Sequence, residues 1–433
     1  MAKTENTEVI VVGGGLAGLT AAAYLARAGR AVTVFERSNA LGGRAATHVK
    51  DQFSLNLGPH ALYRGGAGIR ILRELGVPFD GGSPSVSGGY AVDKGRVHTL
   101  PGGLLSLLTT GLLPVGGKIE LARVLGSLQK INTDTIQRTS VRQWLDSTIR
   151  HPQTRSVVQA LTRLSSYANE PERQSAGTAV AQVQIALARS VMYPNGGWQV
   201  LVDGLRRIAE AAGVRICGGS RVVAVEHDDA ARGVRLADGT SHRATAVIVA
   251  LGASEAAGLL SDSPVGRWAA AAVPVKAACL DVALRRVPRP AASFALGIDR
   301  PLYFSIHSAV AKLAPAPGAV MHAAKYLSSE PSDPKSDEQE LEQLLDLVQP
   351  GWRSEVVERR FLPNMVACSA LATAEMGGIG GRPGVEVPEI RNLYVAGDWV
   401  GSQGWLADGS LASAKRAAQL AIAGAAGAGA LAA

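Results

Sequence analysis

Cysteine is scarce in this chain: Cys217, Cys279 and Cys368 are far apart among 433 residues and form no CxxC pair. A disulfide framework, a zinc cage and a dithiol relay are therefore not expected. Aromatic residues make up only 5% and charged residues 18%, with 44 Lys and Arg against 36 Asp and Glu. The net charge of +8 suits acidic substrates or anionic membrane faces, but no basic block is dense enough to suggest nucleic acid. The polar start, Met1 to Asn6, leads directly into an apolar strand without a signal-peptide pattern, so a reducing, cytoplasmic setting is expected. Ser-His-Asp order, metal-ligand clusters and paired-carboxylate motifs are also lacking. Any chemistry must come from elsewhere.

What is present begins at Val9-Ile10-Val11-Val12-Gly13-Gly14-Gly15-Leu16-Ala17-Gly18, followed by a small-residue helix and Val32-Thr33-Val34-Phe35-Glu36-Arg37. A strand, a glycine turn, a helix and a second strand ending on an acid form the unit that holds a dinucleotide. Gly13 permits the tight turn, Gly15 lets a pyrophosphate approach the backbone, and Gly18 lets helix and strand pack closely. The helix N-terminus offers free N–H groups to the phosphates. Glu36 suits ribose hydroxyls and repels a 2′-phosphate, which favours FAD or NAD over NADP. The next turn, Gly42-Gly43-Arg44, adds a guanidinium for the pyrophosphate and favours FAD. Val247 to Ala253 has a strand but no second GxGxxG, so a nicotinamide domain is not expected. Electrons would leave to O2, a quinone or another acceptor.

Along the chain, a mixed, mostly helical region ends near Arg189, and Tyr193 to Leu205 reads as a turn opening a helix. Strands are expected at Arg215 to Cys217, Arg221 to Glu226, Gly233 to Leu236 and Ala246 to Leu251, with a small meander among them. Lys276 to Leu284 reads as a strand and Ser336 to Leu347 as an acidic helix. Asn392 to Trp399 is a last strand leading to Gly397-Asp398 and a helix from about Asp408; the alanine-rich tail from Ala417 reads as a fraying end. Val97 to Gly117 has no charged residue and spaces Leu104, Leu105, Leu108 and Leu112 helically, yet Pro101, Pro114 and glycines interrupt it. It reads as a core helix of a second domain, the alternatives being the wall of an apolar channel or a surface that dips into lipid.

Together these stations resemble the flavin-containing amine oxidase, phytoene desaturase and protoporphyrinogen oxidase superfamily. The resemblance spans nearly the whole chain. It implies an α/β fold: a discontinuous FAD-binding, Rossmann-like (GR2-type) domain at 1–90, 190–274 and 386–433, and an α+β substrate-binding domain at 91–189 and 275–385. It implies FAD binding by Gly13, Gly15, Leu16, Ala17, Gly18, Glu36, Arg37, Gly42, Gly43 and Arg44. It also places Gly58, Pro59 and His60 near the flavin ring and Val222, followed by Val225, near the adenine. The closing Gly397-Asp398 and the Asp408 to Ala418 stretch match the family's last flavin motif, with Leu406 and Ala407 at its mouth. A helix N-terminus there would favour the negative charge of reduced flavin.

The resemblance implies an FAD-dependent oxidoreductase that dehydrogenates a hydrophobic small molecule by hydride transfer to flavin N5. Phytoene-desaturase-like carbon–carbon desaturation is placed ahead of amine oxidation with O2. A non-redox flavin isomerase or a flavin-binding partner protein is the remaining class. Lys276, His60 and Trp405 are the catalytic candidates, with Trp399 paired to Trp405 as a cage for an amine; Tyr193, Tyr303 and His307 are further pocket candidates. No metal is expected. Peripheral membrane contact and the oligomeric state stay open.

Overall fold

Four short apolar runs, Val9–Val12, Val32–Phe35, Ala246–Val249 and Leu393–Val395, are buried at every position. Such runs suit strands covered on both faces, and they form one parallel sheet in the computed structural model, which describes residues 7–85 and 88–430. Arg215–Cys217 completes it at one edge, giving the order Arg215–Cys217, Val32–Phe35, Val9–Val12, Ala246–Val249, Leu393–Val395. The sheet is thus assembled from five distant stretches of chain. The helix Leu16–Arg27 packs beside it, and its fully buried Ala21, Ala22 and Ala23 leave room for the helices Gln199–Ala211 and Ala407–Ala430.

The expected meander is an antiparallel group of Val222–His227, Ala231–Leu236 and Ser241–Arg243. Arg215–Cys217 and Ala246–Val249 belong to the parallel sheet instead, and the latter ends before Ala250 and Leu251. The helix from Ala407 continues to Ala430 rather than fraying after Ala417. Residues 431–433 lie outside the described ones.

A second, seven-stranded sheet runs in the order Val356–Cys368, Val275–Leu284, Ala319–Tyr326, Leu302–Ile306, Phe294–Gly297, Tyr90–Asp93, Arg96–Thr99. Val275–Leu284 is apolar apart from Lys276 and Asp281, because both faces are covered. Ala277 and Cys279 join a core shared with the helices Val115–Leu128, Val141–Thr148, Pro152–Ser166 and Ala176–Arg189. Ala278, Leu280, Val282 and Leu284 join the core beneath the acidic helix Pro334–Val348. The Val97 to Gly117 stretch is not one core helix: it breaks into a strand end, the short helix Leu104–Thr109 and the start of Val115–Leu128. Among the described residues, no helix is long and apolar enough to cross a membrane.

Candidate active site

The parallel sheet ends where its loops must turn sharply. Gly13 has φ +109°, and a Cβ there would sit 2.6 Å from the Ala250 carbonyl oxygen. A Cβ on Gly18 would lie 1.8 Å from the Gly13 oxygen, so the first helix approaches its strand more closely than any side chain permits. No side chain caps that helix at Gly15. Its first-turn amides therefore remain available to an anion. The Gly14 amide donates to Glu36 Oε2 at 2.7 Å and the Ser38 amide to Oε1 at 2.8 Å, which fixes the carboxylate at the end of the second strand. The Gly42 amide donates to Gly14 O at 2.9 Å, locking the two glycine turns together.

These turns open on a cavity of about 1340 Å³. It is lined by Gly13, Gly15, Leu16, Ala17, Glu36, Arg37, Gly42, Gly43 and Arg44 from the first stretch, and by Pro59, His60, Val222 and Lys276 from the middle. Gly397, Asp398, Leu406 and Ala407 close it. Gly18 and Gly58 stand behind this wall: a Cβ on Gly58 would meet Cys279 Sγ at 2.9 Å. Leu406 holds φ +56°, a left-handed conformation uncommon for leucine, at the mouth of the last helix. Strain of this kind persists where the surroundings impose it.

Arg44 Nη1 donates to Asp398 Oδ2 at 2.6 Å. Burial alone would raise the Asp398 carboxyl, but the Arg44 guanidinium holds it below the usual carboxylate range. Arg382 Nη1 donates to the Asp398 carbonyl at 2.7 Å and its Nη2 to Gly404 O at 2.6 Å, clamping the Gly-Asp turn from outside. Ser369 also helps to hold the carboxyl down, yet Asp398 Oδ1 is buried and makes no hydrogen bond of good geometry within the described protein. A buried carboxylate oxygen facing a glycine-walled cavity suits a ligand hydroxyl. The uncapped helix, Glu36, Arg44 and this oxygen together fit a pyrophosphate and polyol chain such as FAD carries.

The catalytic candidates separate. Lys276 and His60 line the cavity, whereas Trp405 does not. Trp405 is fully buried, and its indole donates to Ser166 O at 3.0 Å within a cluster around Ala168, Val275 and Cys368. Trp399 likewise faces away, donating to Leu251 O at 2.9 Å. The pair therefore forms no cage; Phe35, Tyr63, Tyr167 and Trp198 supply the aromatic lining, and the Tyr167 hydroxyl donates to Pro59 O at 2.7 Å. His60 contacts the Trp198 ring edge-on at 5.1 Å and places Nδ1 3.1 Å from Gly58 O. Burial lowers its basicity.

Tyr193, Tyr303 and His307 also lie outside the cavity, in a buried group of their own. The His307 ring stacks on Tyr193 at 3.7 Å, and its Nε2 lies 3.3 Å from the Tyr303 hydroxyl. Next to it His322 Nδ1 meets Asp281 Oδ1 at 2.6 Å, and Arg360 Nη2 meets Asp281 Oδ2 at 2.8 Å. The Gly58 amide donates to the same Oδ2 at 3.1 Å, so this group holds the loop that carries His60. Sequence reasoning missed Asp281, His322 and Arg360. The available signal was one acid inside a run, Ala277 to Leu284, that is otherwise apolar. Asp408 was read as motif alone, yet it is buried, lines the cavity, accepts from the Gly68 amide at 2.7 Å, and is pushed up to about 6 by burial.

Comparison with known proteins agrees with this geometry. An L-amino-acid oxidase from Crotalus adamanteus is 44% identical over 79 residues, 18% of this chain and 15% of that protein. The 4,4'-diaponeurosporene oxygenase of Staphylococcus aureus is 43% identical over 54 residues, 12% of this chain and 11% of that one. These matches span only a small part of either relative. A solved oxidoreductase from Methanosarcina mazei superposes with a TM-score of 0.76 at 22% identity, covering 95% of this chain and 100% of its own, which establishes a shared fold. The model of the family described as flavin containing amine oxidoreductase matches residues 16–422. With nearly the whole chain matched and the glycine turns, Glu36, Arg44 and Asp398 gathered around one cavity, the protein belongs to that family of flavin-containing oxidoreductases.

Proposed function

We propose that the chain dehydrogenates a neutral, hydrophobic small molecule at a carbon–carbon bond. The observation that carries this reading is the distribution of charge around the cavity. Its lining carboxylates, Glu36, Glu255, Asp398 and Asp408, all come from segments flanking the parallel sheet. The stretch from the second sheet contributes Leu362, Pro363, Asn364, Met365, Val366 and Ala367, with Tyr167 beside it. No carboxylate there would pair with an alkylammonium, and a stretch that is apolar apart from Asn364 suits an apolar guest. The volume also exceeds the ~300–1,000 Å³ usual for one ligand, which leaves room for cofactor and guest together.

Bound FAD supplies the hydride acceptor. The chain's residues orient the guest and exclude water. His60, kept neutral by burial, donates from Nδ1 to Gly58 O, which leaves Nε2 free to accept a proton from the guest. Lys276 adds the one cation that the second sheet brings to the lining. That lysine supports a second reading, oxidation of a carbon–nitrogen bond, as does the partial likeness to an L-amino-acid oxidase.

Anaerobic titration with polyenes, porphyrinogens and amines, followed by bleaching of the visible flavin band, distinguishes the two. Bleaching by a polyene or porphyrinogen, with a product two hydrogens poorer, supports the proposal. Bleaching by amines alone overturns it. Reoxidation with O2 or a quinone then identifies the acceptor.

A further inference from the structure

Of the ten large hydrophobic side chains exposed among the described residues, six lie between Val97 and Ile119. Leu104 and Leu105 are each 76% exposed, Leu108 62%, Val115 74%, Ile119 58% and Val97 39%. This is a built surface rather than a loose loop. Leu107, Leu112, Leu113 and Leu121 anchor it from behind in the helical core. The Thr110 hydroxyl donates to Thr99 O and Lys118 Nζ to Leu108 O, each at 2.7 Å, which ties the short helix to its neighbours on both sides. Single exposed leucines are ordinary, but a contiguous group marks an interaction surface.

Charge identifies the occupant. Lys94, Arg96, Lys118, Arg123 and Lys130 punctuate the segment from 94 to 130, and Glu120 is its one acid. Glu120 is buried, with its two oxygens accepting from the Arg150 and His151 amides at 2.8 and 2.9 Å, so it presents no negative charge outward. Arg123 continues the row Val115, Ile119 at helical i,i+4 spacing, and Arg96 adjoins Val97 on the edge strand. Apolar tips rimmed by cations match the acyl boundary and phosphates of an anionic bilayer. A second copy of the same face would bring like charges together.

We propose that this surface docks the protein peripherally on anionic lipid bilayers. Leu104, Leu105 and Leu108 enter the acyl boundary, while Arg96, Lys118 and Arg123 meet lipid phosphates. The proposal stands on this surface alone and does not depend on which bond the cavity oxidises.

The test is co-sedimentation of the full-length holoprotein with vesicles of phosphatidylcholine, with and without phosphatidylserine, at low and high salt. Expected are at least about tenfold stronger partition onto the anionic vesicles and weakening by salt. Leu104→Ser/Leu105→Ser/Leu108→Ser and, separately, Arg96→Glu/Arg123→Glu should each reduce binding about tenfold or more. Unchanged flavin absorbance and melting temperature would show that both variants are folded. Equal binding by wild type and both variants overturns the proposal, as does absence of binding by wild type. A wild-type dimer that the leucine variant converts to monomer, without vesicle binding, would assign the face to a second copy and overturn it as well.

Discussion

Arg44 and Asp398 stand 354 residues apart in the chain and 2.6 Å apart in space. This contact joins the loop after the second strand to the turn that opens the last helix, closing the cavity between them. Asp398 is 1% exposed and Arg44 42% exposed, so the pair is buried on one side and screened on the other. Asp398→Asn should therefore cost about 1–3 kcal/mol of stability, below the range for fully buried pairs. It also places an amide beside the guanidinium, so flavin retention should fall about tenfold or more. Thermal melting and flavin fluorescence on dilution measure the two effects. A variant that melts and retains flavin like wild type would remove the pair from the cofactor site.

Glu36 provides a second check on the nucleotide end. Its two oxygens already accept the Gly14 and Ser38 amides, and the residue lines the cavity. Glu36→Gln replaces one acceptor by an NH2 group that opposes one of those amides. Retention of FAD should weaken about 5- to 30-fold, the equivalent of roughly 1–2 kcal/mol. Equilibrium dialysis of the apoprotein with FAD measures it. Unaltered affinity would show that the ribose end lies elsewhere.

How far these relationships could be read beforehand depended on how local they are. Gly13, Gly15, Gly18 and Glu36 sit within one strand–helix–strand unit, where spacing alone determines geometry. Lys276 and His60 were placed by their neighbours in the chain, and both line the cavity. Trp405 was misleading because adjacency to a motif says nothing about side-chain direction; its indole turns to Ser166. The Asp281, His322 and Arg360 group joins three strands separated by 41 and 79 residues, and only their pairing in the second sheet reveals it. The Leu104–Thr109 stretch shows the remaining difficulty. Its periodicity indicated a helix, but periodicity does not tell a face turned to the core from one left uncovered.

The buried histidines make acid destabilisation a specific expectation. Burial lowers His307 well below the ordinary histidine value, helped by repulsion from His322 and His60. A histidine depressed in the folded state contributes stability above about pH 6.5, and that contribution is lost as pH falls and the unfolded chain takes up the proton. His307→Phe preserves the stack on Tyr193 while removing the titration. Urea unfolding between about pH 7 and about pH 5 should then decline less steeply than in wild type. The absolute stability at pH 7 should drop by about 1–3 kcal/mol, because the Tyr303 hydroxyl loses one of its side-chain partners. An unchanged slope would show that His307 does not dominate the acid limb.

Asp408 acts with the opposite sign. Its carboxyl is buried under the close backbone of Gly66 and Gly68, and burial pushes it up to about 6 despite the Gly68 amide that it accepts. A carboxyl raised in the folded state binds its proton more tightly there than in the unfolded chain, whose value is about 3.9. Its favourable contribution is present on the acid side and is lost as pH rises through about 6. Asp408→Asn keeps an oxygen for the Gly68 amide and removes the charge. The variant should gain about 1–3 kcal/mol over wild type at about pH 8 and nothing at about pH 4. Denaturant unfolding of the flavin-free proteins at the two pH values isolates this from cofactor binding. A variant no more stable than wild type at the higher pH would mean that the carboxylate is solvated there, and that the approach of Gly66 and Gly68 does not exclude water from it.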